Sequence, residues 1–445
     1  MASDLLSIAR SGVKAARIQL DLTAQNIANA SSQGYVRRSA TTEEVMTPGY
    51  LTHNRDVSLS GVRIAGITRN ADAFRQGEVR RTGADTARAD AEVAGLEDIQ
   101  AALSDSGVYD AITGFESTLQ QLSQDPTNTP LRAAVIASAQ TMTNSFNIAA
   151  AQLDAVAAGQ QSGAADGVMQ VNTLSGELAK VNGRLSRLAD AQTDRAGLLD
   201  QRDLLLQKLS GYADIATSFA TDGSVSVTLG GTSGAPLVTG LVAQTLTATT
   251  AADGTISYAV GGGTVALAAG SLSGQQQVLA RLATVHGDLD RLADSVVRTV
   301  NTAQAQGTAL NGSPGAPLLS GTTAGAMGMA TTSGAAIATA GAGAAPNSRD
   351  ISNLIAMRGA LTAANPAGAM DTLLYQSSSA VKASTTTRAA LKTISDAAST
   401  ALSAQSGVDL DTEAINLTRY QQAFQASGRV MQVAGTLFDA ILAIR

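Results

Sequence analysis

Imidazole and thiol groups are scarce in this chain: it has two histidines, His53 and His286, and no cysteine. The missing cysteine excludes a thiol nucleophile, a disulfide framework and any cysteine-containing zinc site. Two histidines are too few for a metal site built on several imidazoles. His53 sits in the polar stretch Thr-His-Asn-Arg-Asp, and His286 follows Val285 near the middle of an apolar-periodic helix. Neither has sequence neighbours suited to general base work, so both read as surface histidines. Asp409-Leu410-Asp411-Thr412-Glu413 spaces its carboxylates like half of a calcium loop. Ala414 stands where that loop needs glycine, and no glutamate closes it, which leaves helix capping as the better reading. The glycine runs at 230–231 and 261–263 follow or interrupt strands without opening a helix, and there is no P-loop, so these are turn glycines. Asn29-Ala30-Ser31 and Asn416-Leu417-Thr418 match the glycosylation pattern but fall at or in helices, and read as chance. The sequence therefore reads as a non-enzyme with no cofactor and no metal.

Charged residues are 15% of the chain, well below the quarter or so of an average soluble protein. Acids outnumber bases 36 to 30, a net −6 that gives no basic footprint for nucleic acid. No apolar run approaches the roughly 18 residues of a membrane helix. Asp4, Arg10, Lys14 and Arg17 interrupt the first twenty residues, which excludes a cleaved signal peptide pattern there. Aromatic residues are 3% and tryptophan is absent, while much of the 44% hydrophobic fraction is alanine. A core must then come from seams of Leu, Val and Ile on helices. The length suggests two to four domains.

The elements that follow are mostly helical. Leu6, Val13, Leu20 and Ile27 recur every seven residues, with Ala9, Ala16 and Thr23 three positions after the first three. This is the seam of a helix that packs along another helix. Ser3 or Asp4 can cap its start, and Gly34 is a plausible stop. The other end mirrors it: Leu410, Leu417, Phe424, Met431 and Phe438 form a second heptad row. Asp409, Asp411 and Glu413 crowd that helix's N-terminus, the favourable charge order. Between the ends, Thr129 caps and Pro130 opens a helix with the seam Val135, Ala139, Met142, Phe146, Ala149, Leu153 and Val156. Further seams run from Val171 to Leu188 and from Leu282 to Val296, and Asp203–Leu209 closes another helix. Val225, Val227 and Leu229 alternate with polar residues, as do Ile256, Tyr258 and Val260, which predicts strands with hairpin turns. Residues 321–347 are a Gly/Ala/Thr tract with too few large side chains for a packed core, and read as a loop.

The fold class expected is mainly α with a smaller β part: terminal helices pairing as a coiled coil, a central bundle of long helices and a β-hairpin-rich segment. The domains read as 1–38 with 405–445 (terminal coiled coil), 39–214 with 276–320 and 348–404 (helical), 215–275 (β-rich), and 321–347 (loop or reduced insert).

Ala24-Gln25-Asn26-Ile27-Ala28-Asn29-Ala30-Ser31-Ser32-Gln33-Gly34-Tyr35 resembles the N-terminal motif of bacterial flagellar rod, hook and hook-associated proteins. Within it Asn26, Ile27, Ala28, Asn29, Gly34 and Tyr35 match, while Ser32-Gln33 replaces the usual Thr-Pro. Asp125-Pro126-Thr127-Asn128 with Arg132, and Leu198-Leu199-Asp200-Gln201-Arg202-Asp203, are similar to stretches of the flagellar hook-associated protein 1 (FlgK) family. So are Leu237-Val238-Thr239-Gly240, Val300-Asn301 before Ala305-Gln306-Gly307, and Gly407–Glu413 leading into Asn416–Ser427. The resemblance covers nearly the whole chain in the family's order.

It implies a structural, non-catalytic component of the bacterial flagellum that forms the junction between hook and filament. The implied partners are other copies of the chain, the hook protein, the second junction protein beside the filament, and an export chaperone on the C-terminal helix. No nucleic acid or membrane is implied. The implied location is extracellular, at the hook–filament junction, after type III export without a cleaved signal peptide. The two heptad rows would form the assembly seam, with Leu6, Val13, Leu20 and Ile27 facing Leu417, Phe424, Met431 and Phe438. The outer domain that many members carry is expected to be reduced or absent. Two other readings remain: another axial protein of the hook or rod, or a secreted helical adhesin or binding module.

Overall fold

The computed structural model describes residues 2–46, 59–187 and 192–443. The chain opens with α1 (Ala2–Ala28), a hairpin of β1 (Arg38–Met46) and β2 (Leu59–Arg69), then α2 (Ala73–Asp105), α3 (Val108–Leu122), α4 (Thr129–Leu185) and α5 (Gln192–Tyr212). Short strands follow: β3 (Ile215–Phe219), β4 (Val225–Leu229), β5 (Ala235–Thr239), β6 (Val242–Ala243), β7 (Leu246–Thr250), β8 (Ile256–Val260) and β9 (Gly263–Val265). After α6 (Ser271–Ala305) come four two-residue strands, β10 (Gly307–Thr308), β11 (Leu319–Ser320), β12 (Gly328–Met329) and β13 (Ala340–Gly341). The chain ends in α7 (Ser352–Ala364), α8 (Pro366–Ser406) and α9 (Leu410–Ala443). Long helices with a minor β component are the architecture.

Two compact units share this chain: 1–83 with 171–245 and 392–445, and 84–170 with 246–391. Three of their limits fall inside α2, α4 and α8 and the fourth between β6 and β7, at positions other than the domain ends read from the sequence. The β-rich stretch 215–275 is divided too. The β3-β4-β5-β6 sheet belongs to the first unit and the β7-β8-β9 sheet to the second. In both, the strands alternate as expected: Val225, Val227 and Leu229 are buried, as are Ile256, Tyr258 and Val260. The β1–β2 hairpin lies within the region expected to be helical from residue 39. Its first strand, Arg-Ser-Ala-Thr-Thr-Glu-Glu-Val-Met, has no apolar alternation that would signal a strand.

Local chemistry explains the breaks. Asn128 Oδ1 accepts the Leu131 N–H at 3.1 Å, so Asn128 rather than Thr129 caps α4, and Thr129 is its first residue. Asn365 ends α7 in the left-handed conformation at φ 47°, and Pro366 opens α8 at once. Gly34 has φ 81° in the turn that ends the N-terminal motif. The seams read at 135–156 and 171–188 lie on one helix, α4, whose 57 residues serve both units in turn. Leu188 falls outside the described residues.

The second unit holds the larger core. Phe115, Met142, Phe146, Leu153, Val285 and Leu289, from α3, α4 and α6, are almost wholly buried in one cluster with Leu354 and Met357 of α7. With few aromatics to fill space, helices approach closely. A Cβ at Gly95 in α2 would collide with the buried Val278 side chain of α6. Gly114 in α3 has open space instead. Helix propensity alone favours alanine over glycine by about 1 kcal/mol, whereas overpacking costs roughly 1–3 kcal/mol. Denaturant unfolding should therefore show Gly95→Ala destabilising the protein and Gly114→Ala stabilising it by up to about 1 kcal/mol.

Candidate functional site

Polar residues from the N-terminal motif, the 198–203 stretch and the 407–413 stretch meet in the first unit, around Asn26. This asparagine is 2% exposed, in the last turn of α1, and uses its whole hydrogen-bonding capacity. Its Oδ1 accepts the Tyr35 hydroxyl at 2.8 Å and the Arg38 N–H at 3.1 Å. Its Nδ2 donates to the Arg38 carbonyl at 2.9 Å and to Glu413 Oε2 at 3.3 Å. The other Glu413 oxygen accepts Arg37 Nε at 2.6 Å, although Glu413 is 1% exposed. The Arg37 N–H also reaches the Ser406 carbonyl at 3.0 Å. One buried carboxylate on α9 thus holds the end of α1 and the start of β1.

A second layer comes from α5. Asp200 accepts Arg38 Nη2 at 3.0 Å and Arg69 Nε at 2.6 Å, and Asp203 accepts Arg69 Nη2 at 2.7 Å. Asp203 also takes Gln76 Nε2 at 3.0 Å and two donors from Arg202, at 2.9 and 2.7 Å. Arg202 continues to the Gly223 carbonyl at 2.6 Å and lies over the Phe219 ring at 4.6 Å. The Arg38 guanidinium lies over Tyr35, 5.1 Å from its centroid. Burial raises the Tyr35 phenol above its ordinary value, against the lowering effect of Arg38. Tyr35 therefore stays a hydroxyl donor to Asn26 through neutral pH. The arrangement is an ionic lock in which four arginines, Arg37, Arg38, Arg69 and Arg202, share three carboxylates, Glu413, Asp200 and Asp203.

The terminal helices pack on each other, and α1 also packs on β2. Gly12 lies so close to Ser427 that an added Cβ would be 2.9 Å from its Oγ. The side of α1 that is covered carries Ala9, Ala16 and Thr23, all buried. Of the heptad residues, Leu6 is exposed while Val13, Leu20 and Ile27 are half-buried. On α9, Leu417 and Met431 are half-buried, and Leu410, Phe424 and Phe438 are exposed, at 54%, 39% and 52%. Ile415, Val430, Val433 and Leu437 add to this uncovered apolar surface. Ala28 is exposed on α1, and Asn29 donates its side-chain N–H to the Gln25 carbonyl.

In the second unit, the motif residue Arg132 is 1% exposed, and among the described residues no carboxylate pairs with it. It donates to the carbonyls of Pro126, Gly334 and Ile337 at 2.5, 3.1 and 2.8 Å, and to Thr339 Oγ1 at 2.9 Å. Three of these acceptors lie in the Gly/Ala tract, so the tract is not a bare loop. Asp290 Oδ1 accepts the Ala324 N–H and Gln304 Oε1 the Ala338 N–H, while Asn353 Nδ2 donates to the Ala338 carbonyl. Small side chains let the tract's backbone reach these polar groups, and Ile337, Ala338 and Ala340 are buried as a result. His286 lies 3.4 Å from Asp154 and 3.5 Å from Asp290, a carboxylate pair its isolated sequence position does not suggest. His53 falls outside the described residues. Among the described residues no His, Asp or Glu cluster could hold a metal ion, and no helix is long and apolar enough to cross a membrane.

Asp409 caps α9, accepting the N–H groups of Asp411 and Thr412 and the Thr412 hydroxyl. The hydroxyl bond, then the backbone bonds, hold its carboxyl below the ordinary 3.8. A folded value under the unfolded one contributes stability that is complete above the unfolded value and lost as pH falls through the folded one. Protection of the Asp411 and Thr412 amides, taken as the exchange rate relative to the intrinsic rate at each pH, should accordingly fall only below about pH 4, and Asp409→Asn, which keeps an acceptor, should flatten that dependence. At the hub, Asn26→Ala should cost about 2–4 kcal/mol by orphaning buried donors and acceptors. Asn26→Asp should cost at least as much, since it cannot donate and places a second carboxylate against Glu413. Denaturant unfolding checks both.

Three family models match the chain. The flagellar hook-associated protein FlgK helical domain matches residues 93–319, just over half of the chain. The flagella basal body rod protein model matches 6–35, and the flagellar basal body rod FlgEFG protein C-terminal model matches 398–444. Flagellar hook-associated protein 1 of Bacillus subtilis is 27% identical over 225 residues, 49% of this chain and 44% of that protein. The proteins of the same name in Salmonella typhimurium and Escherichia coli are each 26% identical over 253 residues, 55% of this chain and 44% and 45% of theirs. These matches span less than half the length of each relative. The structure of the flagellar hook junction protein FlgK from Burkholderia pseudomallei aligns with a TM-score of 0.49 at 24% identity, over 55% of this chain and 46% of that one. With the helical-domain model matched across more than half of its residues, the chain belongs to the flagellar hook-associated protein FlgK family.

Proposed function

We propose that this chain is a structural subunit of the junction between flagellar hook and filament, assembling with copies of itself through its terminal helices. The observation that carries this reading is the uncovered apolar surface of α9, with Phe424, Val433, Leu437 and Phe438 among its exposed residues. Such a row on a helix already paired through small residues needs a further partner to leave water. Subunits in an open helical array meet through unlike faces, so each copy would present this row to a different surface of its neighbour. The hook protein and the second junction protein are the expected neighbours, and an export chaperone would cover the same C-terminal row before assembly. Export is expected to need no cleaved signal peptide, and the mature location is the exterior flagellum. The hook or rod reading is supported by the end segments at 6–35 and 398–444, which match rod-protein models. The helical-domain match between them favours the junction.

Deleting the chain should leave hooks intact while flagellin appears in the medium and filaments are lost. Phe424→Asp should leave the second unit folded, yet fail to retain filaments. Normal filaments on either strain would refute the junction assignment or the seam, respectively.

A further inference from the structure

The turn that carries Gly34 and Tyr35 forms part of the wall of a cavity of about 290 Å³ in the first unit. This is at the small end of ligand-site volumes, enough for a short molecule. Val36, Val79, Leu204 and Leu402 give it apolar walls. Two polar residues lining it are unlike the saturated groups of the hub. Ser406, at the end of α8, is 5% exposed, and its hydroxyl has no hydrogen-bond partner among the described residues. Arg80, on α2, is 8% exposed. Among the described residues its guanidinium has one hydrogen bond, a long 3.5 Å contact to Thr217 Oγ1.

The nearby carboxylate cannot complete Arg80. Asp203 also lines the cavity, but Arg69, Gln76 and Arg202 already occupy both its oxygens. The surrounding ion pairs join Arg37, Arg38, Arg69 and Arg202 to Glu413, Asp200 and Asp203, and Arg80 belongs to none of them. A buried cation held only by one long bond to a hydroxyl is costly, and burial pushes the Arg80 guanidinium below its ordinary value, against the raising effect of Asp203. An anion is the complement, and the apolar walls favour one with a short hydrocarbon body over a fully hydrated inorganic ion.

We propose that this cavity binds a short aliphatic carboxylate, with Arg80 meeting the carboxylate and the Ser406 hydroxyl donating to it. The occupant would touch α2, α5, the end of α8 and the Gly34 turn together, and so would stabilise the root of the terminal helices by mass action. Two sources carry this chemistry: a free small carboxylate, or an acidic side chain of a second copy.

The test uses the purified full-length chain with glutarate as probe and neutral glutaramide as control, read by calorimetry and thermal unfolding. A free-carboxylate site gives saturable glutarate binding and a raised Tm, with no response to glutaramide. Arg80→Gln should weaken binding at least tenfold, Arg80→Lys less, and Ser406→Ala a few-fold without loss of fold. If glutarate does not bind, but self-association is lost in Arg80→Gln and restored in part by Arg80→Lys, the carboxylate belongs to a second copy. Neither glutarate binding nor Arg80-dependent self-association, or glutarate binding indifferent to both Arg80→Gln and Ser406→Ala, overturns the proposal.

Discussion

The two ends of this chain are held in register by an uncharged amide set against a buried carboxylate. Asn26 has two acceptor directions and two donors, and all four are used, three of them on Tyr35 and the backbone of Arg38 and one on Glu413. An aliphatic residue of the same size would leave the Arg38 peptide unpaired, and a carboxylate would repel Glu413. Glu413 can be buried because Arg37 neutralises it and Asn26 solvates its second oxygen. This one junction ties α1, the hairpin and α9 together, and Asp200 and Asp203 extend it through Arg38 and Arg69 to α5.

Much of this was legible as motif and little as geometry. The turn at Gly34, the capping role of Asp409 and the buried seams of α4 and α6 follow from residue type and period. The partners do not, since Asn26 and Glu413 are 387 positions apart and Arg38 and Asp200 are 162 apart. Glu413 illustrates the difficulty. Beside Asp409 and Asp411 it looks like one more acid at a helix start, yet it is the one that is buried. Heptad spacing likewise identified both terminal helices but not which edge of each stripe would be covered. Close approach at Gly12 and Ser427 favours the small residues, a preference that large-residue periodicity does not encode.

The second unit reverses the usual relation between side chain and backbone. Its helices supply Arg132, Asp290, Asn301, Gln304 and Asn353, whose polar ends bind the main chain of the 321–347 tract and its flanks. Composition gives that tract little with which to make a core, and a count of large side chains reads it as a loop. It is ordered from outside, by donors and acceptors that reach its peptide groups because alanine and glycine do not block them. Arg132 has a distinctive position in its motif, but nothing in the sequence says that three of its four acceptors lie about two hundred residues away.

Placing polar specificity around Asn26 and apolar surface along the terminal helices separates two tasks. Buried, saturated hydrogen bonds tolerate few alternative partners, so they fix register within one chain at a modest net gain each. Exposed Phe424, Val430, Val433, Leu437 and Phe438 are non-directional and gain roughly in proportion to the area removed from water. In the assembly proposed above, that second term is collected only between chains. A subunit with the reverse arrangement, with its large residues spent on α1–α9 pairing, would hold its own ends more firmly and have little left to join a neighbour. The small-residue interface at Gly12 is thus the feature that keeps the larger row available.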